Sequence, residues 1–357
     1  MDEHTRNTRG GATAAYSTGE RRYDVVVLGG GAAGLSGALT LARARRSVLV
    51  IDSGEPRNAP AGHIHNYLGR EGVPPSELLA TGRAEVTGYG GEIMAGTVVT
   101  VERSAGGGFR VVLADGSAVE AARLLVTTGL VDELPEVAGL AERWGRDVLH
   151  CPYCHGWEVR DLPIGILGGG PMAVHQALLW RQWSPRVSLL SHTGPEPADE
   201  EYERLAARDI AVVDGEVAGL EITDDRLTGV ILRDGHVIAC QAVVAPPRFT
   251  ARGGMLADLG LKTTGQEFAG EVVGRYLPTD PSGATEVPGV WAAGNVATPS
   301  DTVVGAAAAG VRAAGAINAD LVAEDTRRAV AARRAPFSAQ AERDVCGRVL
   351  GDSRHGL

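Results

Sequence analysis

The chain is short of cysteine, of positive charge and of aromatic side chains, and each shortage removes a class of protein. Four cysteines in 357 residues, Cys151, Cys154, Cys240 and Cys346, are too few for a disulfide-stapled secreted scaffold. A formal net charge of -10, from 34 Lys and Arg against 44 Asp and Glu, leaves no basic stripe for nucleic acid or an anionic membrane. No stretch approaches the roughly 18 uninterrupted apolar residues of a membrane helix. Residues 1–21 are polar, lack the apolar segment of a signal peptide and read as a disordered leader, so the expected address is cytoplasmic. Aromatic residues make up 4%, whereas hydrophobic residues reach 44% and glycines number 49. That balance predicts a core of Ala, Val and Leu around close backbone approaches. The length suits two domains of roughly 150 residues each.

What is present is patterned. Residues 23–28 (YDVVVL) suit a central parallel strand covered on both faces. They run into a glycine turn in which Gly29, Gly31 and Gly34 fit G-x-G-x-x-G. Residues 35–45 have helical composition, and residues 47–51 (SVLVI) predict a second strand ending at Asp52. Strand, turn, helix, strand and acid together form a dinucleotide-binding fingerprint. The first glycine permits the tight turn, the second lets backbone approach a pyrophosphate, and the third lets helix and strand pack; Asp52 is placed for the adenosine ribose. A second copy follows, with a strand over 162–167, Gly168, Gly170 and Ala173 as G-x-G-x-x-A, a helix over 173–183 and a strand over 186–190. Strands are also predicted over 109–113 and 124–127, with Thr127, Thr128 and Gly129 as a turn, and a hairpin over 217–240 around Asp234-Gly235. A last strand, 290–294 (VWAAG), precedes Asn295 and a small-residue helix over about 302–320. The fold class is α/β, with two Rossmann-like, three-layer dinucleotide-binding domains.

Between the two fingerprints lies His150-Cys151-Pro152-Tyr153-Cys154-His155-Gly156-Trp157-Glu158. A C-x-x-C in a cysteine-poor chain is half of a zinc site, a redox dithiol/disulfide, or an inert buried pair. Zinc needs two further ligands. His150 and His155 are adjacent, but structural sites draw their second pair from another segment, and no distant C-x-x-C or H-x-x-x-H exists. The redox pair is the favoured reading, with no metal. Cys240 ends a predicted strand and reads as a core residue, and Cys346 as an incidental tail thiol.

A glycine fingerprint at the start, a C-x-x-C just before a second one, and a late strand-Gly-(Asp/Asn) before a small-residue helix resemble the low-molecular-weight thioredoxin reductase family. The resemblance spans roughly residues 23–322. It implies that the second domain is inserted in the first. Residues 22–130 and 246–323 then form an FAD-binding domain, residues 131–245 an NAD(P)-binding-like domain carrying the C-x-x-C, and residues 324–357 a C-terminal tail. It implies FAD held by Gly29, Gly31, Gly34 and Asp52, with Asn66 of HIHNYLG near the isoalloxazine. Gly294 and Asn295 would meet the ribityl-pyrophosphate, and the N–H groups of Val304 and Gly305 the flavin pyrimidine. A homodimer is implied as well.

Two departures bear on function. The family carries a basic H-R-R-x-x-x-R run after the second fold's second strand, to grip the 2'-phosphate of NADPH. Here residues 191–197 read SHTGPEP, without an arginine, unless Arg181 or Arg186 substitutes from another direction. The family also places Asp directly after the second cysteine, where this chain has His155. C-P-Y-C-H-G-W-E resembles the FAD-dependent dithiol oxidases that close the disulfides of gliotoxin and holomycin. The stretch holding Arg57 and Asn58, and His63-Ile64-His65, share that resemblance, and Gly129 joins the cofactor-contacting set.

The subgroup implies that a small-molecule, natural-product dithiol reduces the Cys151–Cys154 disulfide, that FAD takes the electrons, and that O2 becomes hydrogen peroxide. A base must make the attacking thiolate. His155 is the first candidate because imidazole titrates near neutrality, and His63 and His65 are the second. Tyr153 and Trp157 read as packing or a substrate-facing wall, Trp180 and Trp183 as core or interface. The competing expectations are an NADPH-dependent, thioredoxin-reductase-like disulfide reductase and a flavin-binding protein without turnover.

Overall fold

In a computed structural model, residues 21–334 and 338–350 are described. The leader expected over residues 1–21 therefore lies, apart from Arg21, outside the described residues. The fold begins with β1 (Arg22–Leu28), in which Val25, Val26 and Val27 are wholly buried. A strand covered on both faces can carry such an unbroken apolar run. α1 (Ala32–Arg43) crosses over to β2 (Val48–Asp52), which pairs with β1 in parallel. The connection is tight because Gly29 sits at φ +107° and a Cβ there would lie 2.5 Å from the Thr127 carbonyl oxygen. α2 (Pro75–Gly88) leads to β3 (Glu92–Ala95) on the β2 edge. β4 (Val98–Arg103), β5 (Phe109–Leu113) and β6 (Ala118–Val126) then build an antiparallel extension, giving the order β3-β2-β1-β6-β5-β4.

β7 (Leu130–Glu133) carries the chain out of this sheet. A five-stranded parallel sheet follows, built from β8 (Val148–Leu149), α3 (Pro152–His155), β9 (Ile164–Leu167), α4 (Gly170–Trp180), β10 (Val187–Leu190), α5 (Asp199–Ala206) and β11 (Ala211–Val213). Next come β12 (Val217–Thr223), β13 (Arg226–Leu232) and β14 (Val237–Ala239), and then β15 (Ala242–Val244), which returns to the parallel sheet in the order β11-β10-β9-β15-β8. The hairpin expected around Asp234-Gly235 is thus three strands with two reversals. The missed turn is Asp224-Asp225, both left-handed at φ 50° and 57°, a geometry short polar side chains tolerate without a glycine to mark it.

The chain re-enters through β16 (Arg248–Ala251), antiparallel to β7, so exit and return are neighbouring strands. β17 (Thr264–Phe268) and β18 (Glu271–Tyr276) complete that four-stranded sheet, and β19 (Val290–Ala292) rejoins the first sheet beside β6. α6 (Val303–Arg334) packs on α1 so closely that a Cβ on Gly310 would lie 2.0 Å from the Ala33 carbonyl oxygen. The small-residue helix expected to end near Asp320 runs on to Arg334. Arg123 on β6 holds its far half, 2.6 Å from Asp320 and 2.5 Å from Glu324. Within the expected tail, α7 (Ala339–Leu350) is a further helix, which carries the exposed Cys346. Two Rossmann-like folds are present, the class expected.

Candidate active site

The two folds meet over a cavity of about 580 Å³ at the carboxyl ends of β1 and β2. Gly29, Gly31, Asp52, Arg57, Asn58, His63, His65, Asn66, Gly129, Gly294 and Asn295 line it from the first fold, and Cys151, Cys154 and His155 from the second. Gly34, Val304 and Gly305 are not on the wall. A Cβ on Gly34 would lie 1.9 Å from the Gly29 carbonyl oxygen, so its place is strand-to-helix packing. At the start of α6, Thr302, Val303 and Ala306 line the cavity instead, while Val304 is exposed and Gly305 abuts the Asp301 carboxylate.

The glycine turn forms an open cradle. A Cβ on Gly31 would meet nothing within 4 Å, whereas one on Gly30 would lie 2.8 Å from the Asp52 carboxylate. That carboxylate accepts from the Gly30 N–H at 3.1 Å and from Arg83 at 2.7 Å. Arg83 is 31 residues from its partner and carries no local motif, so sequence reasoning had nothing to find it by. Arg57 is tied bidentately to Asp132 at 2.7 and 2.6 Å and lies over the Phe249 ring. Asn295 donates its amide to the carbonyl oxygens of Thr298, Pro299 and Asp301. Burial raises the Asp301 carboxyl above its ordinary value.

One helical turn delivers the cysteines. Cys151 caps α3, Pro152 takes the first helical position, and the Cys154 and His155 N–H groups donate to the Cys151 carbonyl. The Cα atoms stand 5.3 Å apart and the two sulfurs are joined. His155 follows directly, and both of its ring nitrogens are buried without a hydrogen-bond partner. Burial lowers its pKa; Glu158 opposes that shift and His65 adds to it, so the surroundings favour the neutral ring. His65 is differently placed, with Nδ1 2.6 Å from Glu71 and Nε2 3.4 Å from Glu158. His63 is exposed, its ring 6.3 Å from that of His65. His150, which sequence reasoning considered only for zinc, is half-buried against the rings of Trp144 and Phe249. Desolvation, helped by Arg57, pushes its pKa down to about 4.

The loop 63–73 is fastened across the junction. Asn66, at φ +60°, donates its side-chain amide to the Tyr153 carbonyl, and its N–H donates to Glu71 at 2.9 Å. Tyr153 packs edge-on against Trp183 and is exposed with Trp157, while Trp180 is core. Cys240 is buried away from the cavity, and burial pushes its thiol up to about 12.

The second glycine turn is arranged otherwise. Gly170 donates its N–H to the Pro195 carbonyl at 3.1 Å, and Pro171 has no N–H to offer. A Cβ on Gly169 would lie 2.3 Å from the same carbonyl oxygen. Arg181 sits at the far end of α4 and bonds the Arg208 carbonyl, and Arg186 precedes β10 and bonds the Asp161 carbonyl. Both lie at the end of the sheet away from the turn.

A disulfide opening on the dinucleotide cradle of a neighbouring Rossmann fold defines a disulfide oxidoreductase of the two-dinucleotide-fold type. Residues 23–314 match the family described as pyridine nucleotide-disulphide oxidoreductase, and the chain belongs to it. The thioredoxin reductase sirT of Leptosphaeria maculans is 30% identical over 319 residues, 85% of this chain and 95% of that protein. A probable thioredoxin reductase of Arthroderma benhamiae is 39% identical over 155 residues, and the match spans only 38% of that protein. Among solved structures, that of HlmI superposes with a TM-score of 0.82 at 47% identity, covering 91% of this chain and 99% of that one. The chain is thus a thioredoxin-reductase-like oxidoreductase with FAD as its cofactor. The open cradle at Gly31 fits such a group. Among the described residues no helix is long and apolar enough to cross a membrane.

Proposed function

We propose that the chain is an FAD-dependent dithiol oxidase that closes an intramolecular disulfide in a small-molecule, natural-product dithiol and passes the electrons to O2, releasing hydrogen peroxide. The observation that carries this reading is the second glycine turn, whose helix-terminal N–H is taken by the chain's own Pro195. A nicotinamide dinucleotide needs that N–H for its pyrophosphate, and NADPH also needs an arginine that residues 191–197 lack. The Cys151–Cys154 disulfide, by contrast, already opens on the first cavity.

In this reading residues 22–130 and 246–323 bind FAD and residues 131–245 carry the disulfide. Gly29, Gly31, Asp52, Arg57, Asn58, Asn66, Gly129, Gly294 and Asn295 form the cofactor wall, with Gly34, Val304 and Gly305 behind it. His155 takes the proton of a substrate thiol. The thiolate attacks Cys151 Sγ, the Cys151–Cys154 bond breaks and Cys154 leaves as thiolate. The second substrate thiolate attacks its own bonded sulfur, Cys151 leaves, and the cyclic disulfide is released. Bound FAD supplies a two-electron acceptor for the dithiol and a donor to oxygen. His63 and His65 serve His155 from the facing loop. The protein acts in the cytoplasm as a homodimer, without nucleic acid or membrane.

The relatives' shared name, thioredoxin reductase, favours a second reading, in which NADPH supplies the electrons and a protein disulfide receives them. Anaerobic stopped-flow bleaching of the flavin separates the two. Dithiothreitol is expected to bleach it rapidly and NADPH not at all, and Cys154→Ser abolishes peroxide formation. Fast bleaching by NADPH overturns the proposal.

A further inference from the structure

A carboxylate beside an anionic cofactor repels it unless its charge is answered and its oxygens are aimed. Asp52 stands at the carboxyl end of β2, on the cavity wall, next to the glycine turn that would receive the FAD pyrophosphate. Its Oδ1 accepts from the Gly30 N–H at 3.1 Å, and its Oδ2 accepts from Arg83 at 2.7 Å. The carboxylate is packed on the turn as well, since a Cβ on Gly30 would lie 2.8 Å from it. A carboxylate has about four lone-pair sites, so each oxygen keeps one free. Two acceptor sites held side by side suit two neighbouring hydroxyl donors, a vicinal diol.

We propose that Arg83 is a positioning residue for FAD, which holds the Asp52 carboxylate with one acceptor site free on each oxygen and so selects the vicinal diol of the adenosine ribose. The proposal rests on the placing of Asp52 in the cofactor wall and adds what aims it. Arg83 does not line the cavity, so its action passes through Asp52. α2 begins at the cavity, where Pro75, Leu78 and Leu79 are on the wall. Arg83 follows Leu79 by four residues, which puts it on the same helix face one turn further out. Helical side chains lean toward the N-terminus, and the guanidinium thereby reaches back to the end of β2.

The contact is placed to orient a side chain and contributes little to holding the helix. Arg83 is 35% exposed and Asp52 17%, and a pair so open to water adds little to folding stability. α2 is anchored by Leu79 and Val86, both buried. Without Arg83 the helix keeps that anchor, whereas Asp52 keeps a single bond, to Gly30, and an unanswered negative charge at the turn. Lysine at the same position restores the charge and one donor, without the planar guanidinium.

The test is fluorescence titration of the apo-protein with FAD, with FAD built on 2'-deoxyadenosine, and with FMN, which has no adenosine half. Arg83→Met is expected to weaken FAD binding about tenfold or more, to leave FMN binding as in the wild type, and to leave the apo-protein's Tm unmoved. Arg83→Lys should recover most of the loss. The wild type should bind the deoxy cofactor about tenfold more weakly than FAD, and Arg83→Met should add little to that. Asp52→Asn should weaken FAD binding as well, and Arg83→Met placed on it should cost about twofold at most, because the two residues act through one contact. Unchanged FAD affinity in Arg83→Met, an equal loss of FAD and FMN, a full second loss on the Asp52→Asn background, or equal binding of FAD and its deoxy form by the wild type overturns the proposal. Asp52→Asn that binds FAD as the wild type does overturns the placing of Asp52 itself, a result distinct from these.

Discussion

Asn295 is one of the two residues that the late strand-Gly-(Asp/Asn) motif admits, and its neighbours show what an amide supplies here. Its amide donates to three carbonyl oxygens at 3.3, 3.1 and 2.9 Å, bracing the 298–301 turn ahead of α6. A carboxylate there would face three acceptors with no proton to share. Asn295→Asp is therefore expected to weaken FAD binding about tenfold or more, and further than Asn295→Ala does, since burying unpaired acceptors costs about 1–3 kcal/mol. Titration of the apo-protein with FAD checks this, and equal affinity for Asn295→Asp and wild type would refute it. The residue types of the site were legible in sequence because chemistry confines them: glycine at the cradle, paired cysteine, a nearby histidine. Arg83, Asp132 and Glu71 were not, because an ordinary charged residue becomes part of a site only through the partner folding brings to it.

Elements showed the same division. Strands with unbroken buried runs, such as β1 and β9, were read directly, since an apolar stretch between glycine turns has few other uses. The length of α6 was underestimated because its small apolar residues give way to polar ones near Asp320, which marks the end of burial and not of the helix. Arg123 and Arg46 carry the helix onward, Arg46 reaching Asn318 at 2.9 Å and Asp325 at 2.8 Å. Arg123→Ala removes two ion pairs from a side chain only 14% exposed. It should cost about 2 kcal/mol and lower Tm in a thermal melt of the FAD-loaded protein. A melt matching wild type would mean that the far half of α6 is held by its own turns alone.

At the scale of the molecule, His150 lies where the two folds meet, between Trp144 and Phe249 and near the Arg57–Asp132 pair. Its pKa is lowered in the folded state to about 4, so the unfolded chain binds this proton first. Stability is then full above about 6.5, the ordinary histidine value, and declines as pH falls toward about 4. His155, lowered for the same reason, adds to the slope. His150→Phe should flatten the fall in Tm between those limits, and an unaltered slope would show that the burial does not govern acid stability.

The sequence by itself determined the two dinucleotide folds, the C-x-x-C between them and the lack of an arginine run after the second. Local spacing is enough for each, because a glycine turn, a C-x-x-C and a missing arginine run are properties of contiguous residues. Only the tertiary structure decided which groups surround the disulfide and what covers the second glycine turn. Glu71 comes to His65 from across a loop, His65 to Glu158 from across the junction, and Pro195 to Gly170 from the next strand's turn. Such distances are set by packing, and packing is a property of the folded chain as a whole.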